Sequence, residues 1–567
     1  MKNLIIVLVI IGSNLCPISG WSLEPLTLDG NNLTITDVIA VARYGQSVTI
    51  SKKALQQVKD SHSLLLAGAK KNLPIYGLNQ GVGLNKDRKI FDGDAIDPEV
   101  KVISEQFNKN IIYSHSTGIG SEMPEELIRA TLLIRLNTLL NGVAGIQPQA
   151  VKLYEEFINK KIHPVMPARG SVGEADIAIL SHIGLAMIGE GKVYYQGEKM
   201  PAAKALAEAG LTPLAPYAKD ALSILSSNAY STALATFTLH DALNLMGQIE
   251  YIYAMSLEAL NGNIAPILWE VQKLRPYCGQ WIVSKRVRDI LQGSYLWNES
   301  ASRALQDPLS FRTATQVQGS CIDICNTLKS QILVNLNSSD DNPAVILGIT
   351  PTEVTNAQER SYYVQGNGVE GAIIPSGNFQ PISWVINFEA LGIALSHVSS
   401  NAVQRMIHLV DPNITHLSRF LAPDNKSIAY GTIQKSFVIL DVENRSLAMP
   451  VSTDISAVAG GIEDHSTNAP LVVRRIAQIL ENLTYISAIE LMHAAQAIEL
   501  RKRQDPNLQL GKGTAQEFED FRRAVPFLDK DRVLNEDIQA AYNYLKKQIE
   551  VEALYRTYSE SECSLEY

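Results

Sequence analysis

The sequence predicts a mostly α fold, an elongated bundle of long helices with a smaller N-terminal α+β region. Three observations carry this. Apolar residues recur at three- and four-residue spacing over long stretches, as amphipathic helices require. The longest stretch, residues 470–504, runs past its opening proline without a glycine or a second proline. Strand-like runs are short by contrast, "KVYYQG" at 192–197 and "AVILGI" at 344–349. Of the 567 residues, 46% are hydrophobic and 19% charged, enough apolar side chain for one large core. The net charge of −9 is spread along the chain without a basic stripe, which argues against nucleic acid as a partner.

At the N-terminus, Lys2 precedes an apolar run from Leu4 to Ile11, and the small residues Gly20 and Ser22 are spaced as for a signal peptidase. Residues 1–22 are read as a secretory signal peptide, because the run is too short to span a bilayer comfortably. The mature chain is then expected in the periplasm or secreted, without a membrane segment. Residues 23–230 are read as the N-terminal region and 231–567 as the long-helix bundle with its C-terminal helices.

In the first region, "NLPIYGLNQGVGLNKDRKI" (72–90) is rich in Gly and Asn and reads as a loop. "PEELIRATLLIRLNTLLNGVAG" (124–145) reads as a helix whose first turn carries Glu125 and Glu126, where negative charge suits the helix dipole. "RGSVGEADIAILSH" (169–182) reads as a small-residue turn leading into a helix. In the second region, 305–320 and 337–343 read as polar loops between helices. "PISWVINFEALGIALSHVSSNAVQRMIHL" (381–409) reads as a long helix with Pro381 at its start. Along 470–504, Ile476, Ile479, Leu480, Leu483, Ile486 and Ile489 keep one apolar face. Cys16 leaves with the signal, Cys321 and Cys325 sit four apart on a predicted helix, and Cys278 and Cys563 stand alone. None has CxxC or zinc spacing, so all are read as unpaired thiols and no metal is expected.

Polar loops on a rigid scaffold are where chemistry collects. Tyr76, in "IYGLNQGVG", serves as a general base if its surroundings lower its pKa, and otherwise packs. Arg312, in "QDPLSFR", is able to clamp a carboxylate through two parallel hydrogen bonds. His115 in "YSHSTGIG", Glu443 in "LDVENR" and His465 in "IEDHS" are ambiguous taken singly. The glycine pairs complete neither a dinucleotide fingerprint nor a phosphate loop.

Taken in order, "IYGLNQGVG", "SHSTGIG", "RLNTLLNGVAGIQP", "PARGSVG", "ILSSNA", "QDPLSFR…QVQG", "NSSDDNP", "SGNFQ", "VENR" and "EDHS" make a pattern. It resembles the family of histidine and phenylalanine ammonia-lyases and the related aminomutases, from about residue 35 to about residue 500. The resemblance implies a homotetramer of long helices with each active site built from three chains. It implies elimination of ammonia from an aromatic amino acid with loss of a β-proton. By the same resemblance Tyr76 is the general base and Arg312 holds the substrate carboxylate. Asn228 and Gln306 line the electrophile and the amine, and Glu443 contacts the amine or the substrate ring. His115 matches a position near the imidazole in histidine-specific members. Asn378 and Phe379 match positions beside the electrophile.

The family's electrophile is a methylidene-imidazolone formed from an internal Ala-Ser-Gly between "GSVG" and an Asp. Here only Glu174 and Ala175 separate Gly173 from Asp176, so the serine and the glycine are absent. Leu309 stands where the family places a tyrosine beside the electrophile. No cofactor is therefore expected. Without an electrophile an ordinary amino group is a poor leaving group, whereas a trimethylammonium group needs no activation. Ergothionase is a precedent that resembles these lyases, lacks the electrophile and releases trimethylamine from ergothioneine. The expectation is an imidazolone-independent carbon–nitrogen lyase acting on an imidazole or aromatic amino acid or its betaine. Glu174 then either holds the cationic nitrogen or is a first-turn glutamate favoured by the helix dipole. The alternatives are an ordinary histidine or aromatic ammonia-lyase or aminomutase, and an amino-acid-binding protein without turnover.

Overall fold

The computed structural model describes residues 24–351 and 356–552. The expected signal peptide, Cys16 and Cys563 lie outside these residues. The N-terminal region opens on a short parallel pair, Leu26–Leu28 with Val48–Ile50. Besides the helices Lys52–Lys70 and Pro148–Asn159, it holds α1 (Pro98–His115), α2 (Glu125–Leu139) and α3 (Ile177–Met187), with a hairpin of Lys192–Tyr195 and Glu198–Pro201 after them.

Every residue of α2 from Leu127 to Leu139 is buried, so its polar members need partners inside the protein. Arg129 donates to the carbonyls of Val41 at 2.8 Å and Ile158 at 3.1 Å. Arg135 donates to the Ser223 carbonyl at 3.1 Å and to Asp341 at 3.1 Å. The helix stops at Leu139, earlier than the apolar pattern does, because Gly142 (φ +72°) turns the chain through the left-handed region.

The bundle is built from α4 (Ala229–Leu260), α5 (Ala314–Leu336), α6 (Ile382–Leu409), α7 (Gln434–Leu447) and α8 (Ala469–Gln504). α8 runs along α4, α6 and α7, and α5 packs on α6. α6 and α8 match the predicted spans within one residue at their starts and end where predicted. Pro381 precedes the first turn of α6 and Pro470 lies in that of α8, where a missing N–H leaves no bond unmade. Across the core, buried Glu490 of α8 accepts two bonds from Arg405 of α6, at 2.6 and 2.8 Å, and one from Ser256 of α4 at 2.8 Å. α6 is also long and apolar enough to cross a membrane, and here it packs between α5 and α8.

Two expectations are corrected. Residues 305–320 are not a loop throughout. After Pro308 the chain forms a helical turn, Leu309–Arg312, and α5 begins at Ala314, burying Phe311, Ala314, Thr315 and Gln318. Their burial on one side outweighs the polar composition that suggested a loop. Cys278 is disulfide-bonded rather than a lone thiol. A disulfide depends on proximity in space, which spacing along the chain does not reveal. Cys321 and Cys325 are free and buried on α5.

Candidate active site

The turn before α3 is clipped to the segment that opens α8. The Val172 carbonyl accepts from the backbone N–H groups of Asn468 at 2.7 Å and Thr467 at 3.2 Å, and the Gly173 carbonyl accepts from Thr467 Oγ1 at 2.9 Å. A Cβ on Gly173 (φ +84°) would lie 2.4 Å from Thr467 Oγ1 and 2.5 Å from the Ala469 nitrogen, so only glycine allows this approach. Asp176 is fully buried and accepts from Ser171 Oγ at 2.7 Å, Ser231 Oγ at 2.7 Å and the Ser231 N–H at 2.8 Å. Burial still pushes its carboxyl up to about 6. Ala175 has φ +100°, a backbone region that side chains disfavour. Its N–H donates to Asn228 Oδ1 at 3.1 Å, which helps to hold it there. α3 starts only at Ile177, so Glu174 is not a first-turn glutamate, and that expectation is corrected.

Glu174 instead lines a cavity of about 560 Å³ together with Tyr76, Lys86, Ser376, Phe379 and Glu463. These residues come from the 72–90 loop, the turn before α3, the segment before α6 and the segment before α8. Tyr76 Oη accepts from the Gly83 N–H at 2.8 Å. Burial raises the Tyr76 pKa, the nearby Glu463 adds to the rise, and the Gly83 bond offsets only part of it. The environment of Tyr76 within one chain thus does the opposite of what a base alone would need. Glu174 is pushed up to about 7, first by burial and then by Glu463, to which it is hydrogen-bonded, and by Asp464. Burial and the facing Glu463 carboxyl thus disfavour the charged form of Glu174. Glu463 was not singled out in the sequence, although it opens the "EDHS" motif. His465 of that motif lies with Nδ1 3.0 Å from Gln380 Nε2.

The other predicted residues fall elsewhere. Asn228 is buried behind the wall, with Oδ1 accepting from Ala175 at 3.1 Å and Nδ2 donating to the Phe379 carbonyl. Both ends of its amide are therefore engaged by backbone. Asn378 is exposed beside Phe379. His115 ends α1 with its ring nitrogen 2.7 Å from the Ile111 carbonyl, and it does not line the cavity. Arg312 donates to Gln306 Oε1 at 2.8 Å in a separate groove of about 400 Å³, beside a Leu309 that is 62% exposed. Glu443 is exposed on α7 and accepts from Asn482 Nδ2 at 3.3 Å. One chain thus brings Tyr76, Glu174 and Phe379 together and leaves the Arg312–Gln306 groove and Glu443 outside that cavity. Among the described residues no cluster of His, Cys, Asp and Glu is placed to hold a metal ion.

Between Gly173 and Asp176 the turn carries Glu174 and Ala175, neither of them a serine or a glycine, and the Ser171 hydroxyl is bonded to Asp176.

The fold is similar to that of ergothionase from Treponema denticola, solved in complex with desmethyl-ergothioneine sulfonic acid. The TM-score is 0.84 at 40% identity, over 94% of this chain and 100% of that one. Tyrosine aminomutase from Streptomyces globisporus gives a TM-score of 0.82 at 26% identity, over 94% of this chain and 98% of that one. A histidine ammonia-lyase of Geobacillus sp. (strain WCH70) is 32% identical over 527 residues, 92% of this chain and 96% of the relative. The sequence model described as aromatic amino acid lyase matches residues 33–523, the span that carries the bundle, the cavity and the Arg312 groove. The chain belongs to the aromatic amino acid lyase family.

Proposed function

We propose that this chain is a carbon–nitrogen lyase that works without an imidazolone and expels a tertiary amine from the betaine of an imidazole or aromatic amino acid, as ergothioneine would require. The observation that carries this is Glu174, a carboxyl lining the cavity with Tyr76 and Phe379 at the chain position where the family builds an electrophile. An electrophile activates a neutral amine, whereas a carboxylate attracts a cation. A quaternary ammonium is permanently charged, is favoured by aromatic faces such as those of Tyr76 and Phe379, and departs as a neutral amine. The 40% identity to the Treponema ergothionase supports the same choice.

In this proposal Tyr76 takes the β-proton, its electron pair becomes the Cα=Cβ bond, and the Cα–N bond breaks with its pair retained by nitrogen. The products are an unsaturated acid, trimethylamine and, once Tyr76 returns its proton to water, one proton. A cation in the cavity favours the phenolate and so opposes the burial and the Glu463 charge that raise Tyr76 in the free chain. Arg312, Gln306 and Glu443 would reach the substrate from neighbouring copies of a homotetramer. The exposed Ile386 and Ile393 of α6, Ile439 and Val442 of α7, and Met449 support such an assembly, since a lone chain leaves them in water. Work in the periplasm or the exterior belongs to the same proposal.

The test is amine release by purified protein from ergothioneine, from hercynine (the trimethyl betaine of histidine) and from histidine. Trimethylamine from a betaine, with no ammonia from histidine, is expected. Ammonia from histidine points to an ordinary ammonia-lyase, and no amine from any of the three points to a binding protein. Either result overturns the proposal.

A further inference from the structure

The motif "NSSDDNP" (337–343) grips the cavity from behind. Asp340 Oδ2 accepts from the Asn228 N–H at 2.7 Å and from Ser227 Oγ at 2.9 Å, while its Oδ1 accepts from buried Arg135 at 3.2 Å. Asp341 lies between Arg135 at 3.1 Å and Lys219 at 3.3 Å. The Asp341 carbonyl accepts from Ser376 Oγ at 2.7 Å, and Asn342 Oδ1 accepts from the Ser376 N–H at 2.9 Å. Held in this way, Asn228 spans the two walls. Its Oδ1 takes the Ala175 N–H, directly after Glu174, and its Nδ2 reaches the Phe379 carbonyl. An amide satisfies both partners in only one orientation, and that orientation depends on where its own backbone is fixed. Asp340 does the fixing and is not itself part of the cavity lining.

We propose that Asp340 is a positioning residue for the elimination: its carboxylate fixes the Asn228 backbone, aims the Asn228 amide at both walls, and so sets the separation of Glu174 and Phe379. This rests on reading the cavity as the betaine site.

The experiment compares wild type, Asp340→Asn, Asn228→Ala and the double variant on hercynine, measuring kcat, KM and melting temperature for each. Asp340→Asn is expected to lower kcat by about 10–100-fold with KM changed much less, since a displacement of about 1 Å costs on that order. In the Asn228→Ala background the same change is expected to leave kcat where Asn228→Ala put it, while the melting temperature falls further. Losses in kcat that multiply in the double variant overturn the proposal. Asp340→Glu keeps the charge facing Arg135 but displaces it by one methylene, and is expected to lower kcat as well. Full activity in Asp340→Glu assigns the effect to the ion pair and overturns the proposal. If wild type releases no amine, the betaine reading fails separately. The brace is then read from crystal structures of wild type and Asp340→Glu, where the Ala175–Phe379 separation is expected to change by about 1 Å. Unchanged walls overturn it.

Discussion

By the family resemblance Glu174 takes the place of the electrophile, and its surroundings determine what it can do instead. Its carboxyl is held up to about 7 by burial and by Glu463, above the ordinary carboxylate range. The proton is thus favoured in the folded state, and ionising Glu174 costs stability progressively as pH rises from about 4.5 to about 7. Holding a cation needs the ionised form, so binding runs in the opposite direction. KM for hercynine is expected to fall as pH rises through 7 and then level off. Glu174→Gln is expected to remove that slope and to raise KM about tenfold, a modest figure because the group is partly solvated. A wild-type KM that does not change with pH contradicts this role. Tyr76→Phe is expected to lower kcat by about 10²–10⁴-fold with little change in KM, measured by trimethylamine release. Tyr76, Glu174 and Phe379 were singled out in the sequence because each lies in a short motif, and the structure brings the three to one cavity. Glu463 was not, because its importance comes from facing Glu174, a contact made only in three dimensions. Asn228 was singled out as well, but its bonds to Ala175 and Phe379 were not foreseen, since both partners are backbone groups of distant segments.

Among the elements, α6 and α8 were legible almost to the residue, because each combines a long apolar period with a proline at its start. α4 was not singled out, because it is buried along nearly its whole length and so shows no polar face to set a period. Residues 305–320 read as loop because their composition is largely polar, buried Ser310, Thr315 and Gln318 included, and the turn at Leu309–Arg312 is too short to display a period. Two stability predictions belong to this scale. Gly173→Ala places a Cβ against Thr467 and the Ala469 backbone at a left-handed φ, and is expected to cost about 2–3 kcal/mol, read as a lower urea midpoint. An unchanged midpoint would show that the turn relaxes away from α8. Arg405→Met strands buried Glu490 and is expected to cost about 3–5 kcal/mol, while the Arg405→Met/Glu490→Met pair recovers most of that loss. If the double variant is no better than the single one, the pair fixes the register of α4, α6 and α8 in a way that apolar packing does not replace.

For the whole molecule, the described chain holds Tyr76 and a carboxyl pair in one place and an arginine groove in another. If neighbouring copies complete the site, two inactive variants complement one another. Tyr76→Phe and Arg312→Ala chains, co-expressed with separate tags and purified through both, are expected to regain activity that neither homomer has. Hybrids that stay inactive would place the whole site within one chain. The central claim, elimination of an amine that leaves unaided, is tested most directly by proton NMR of one reaction containing equal amounts of histidine and hercynine. The account predicts a growing trimethylamine singlet matched by the vinyl protons of an unsaturated imidazole acid, with histidine unchanged. Consumption of histidine with release of ammonia, or no change in either compound, would contradict it.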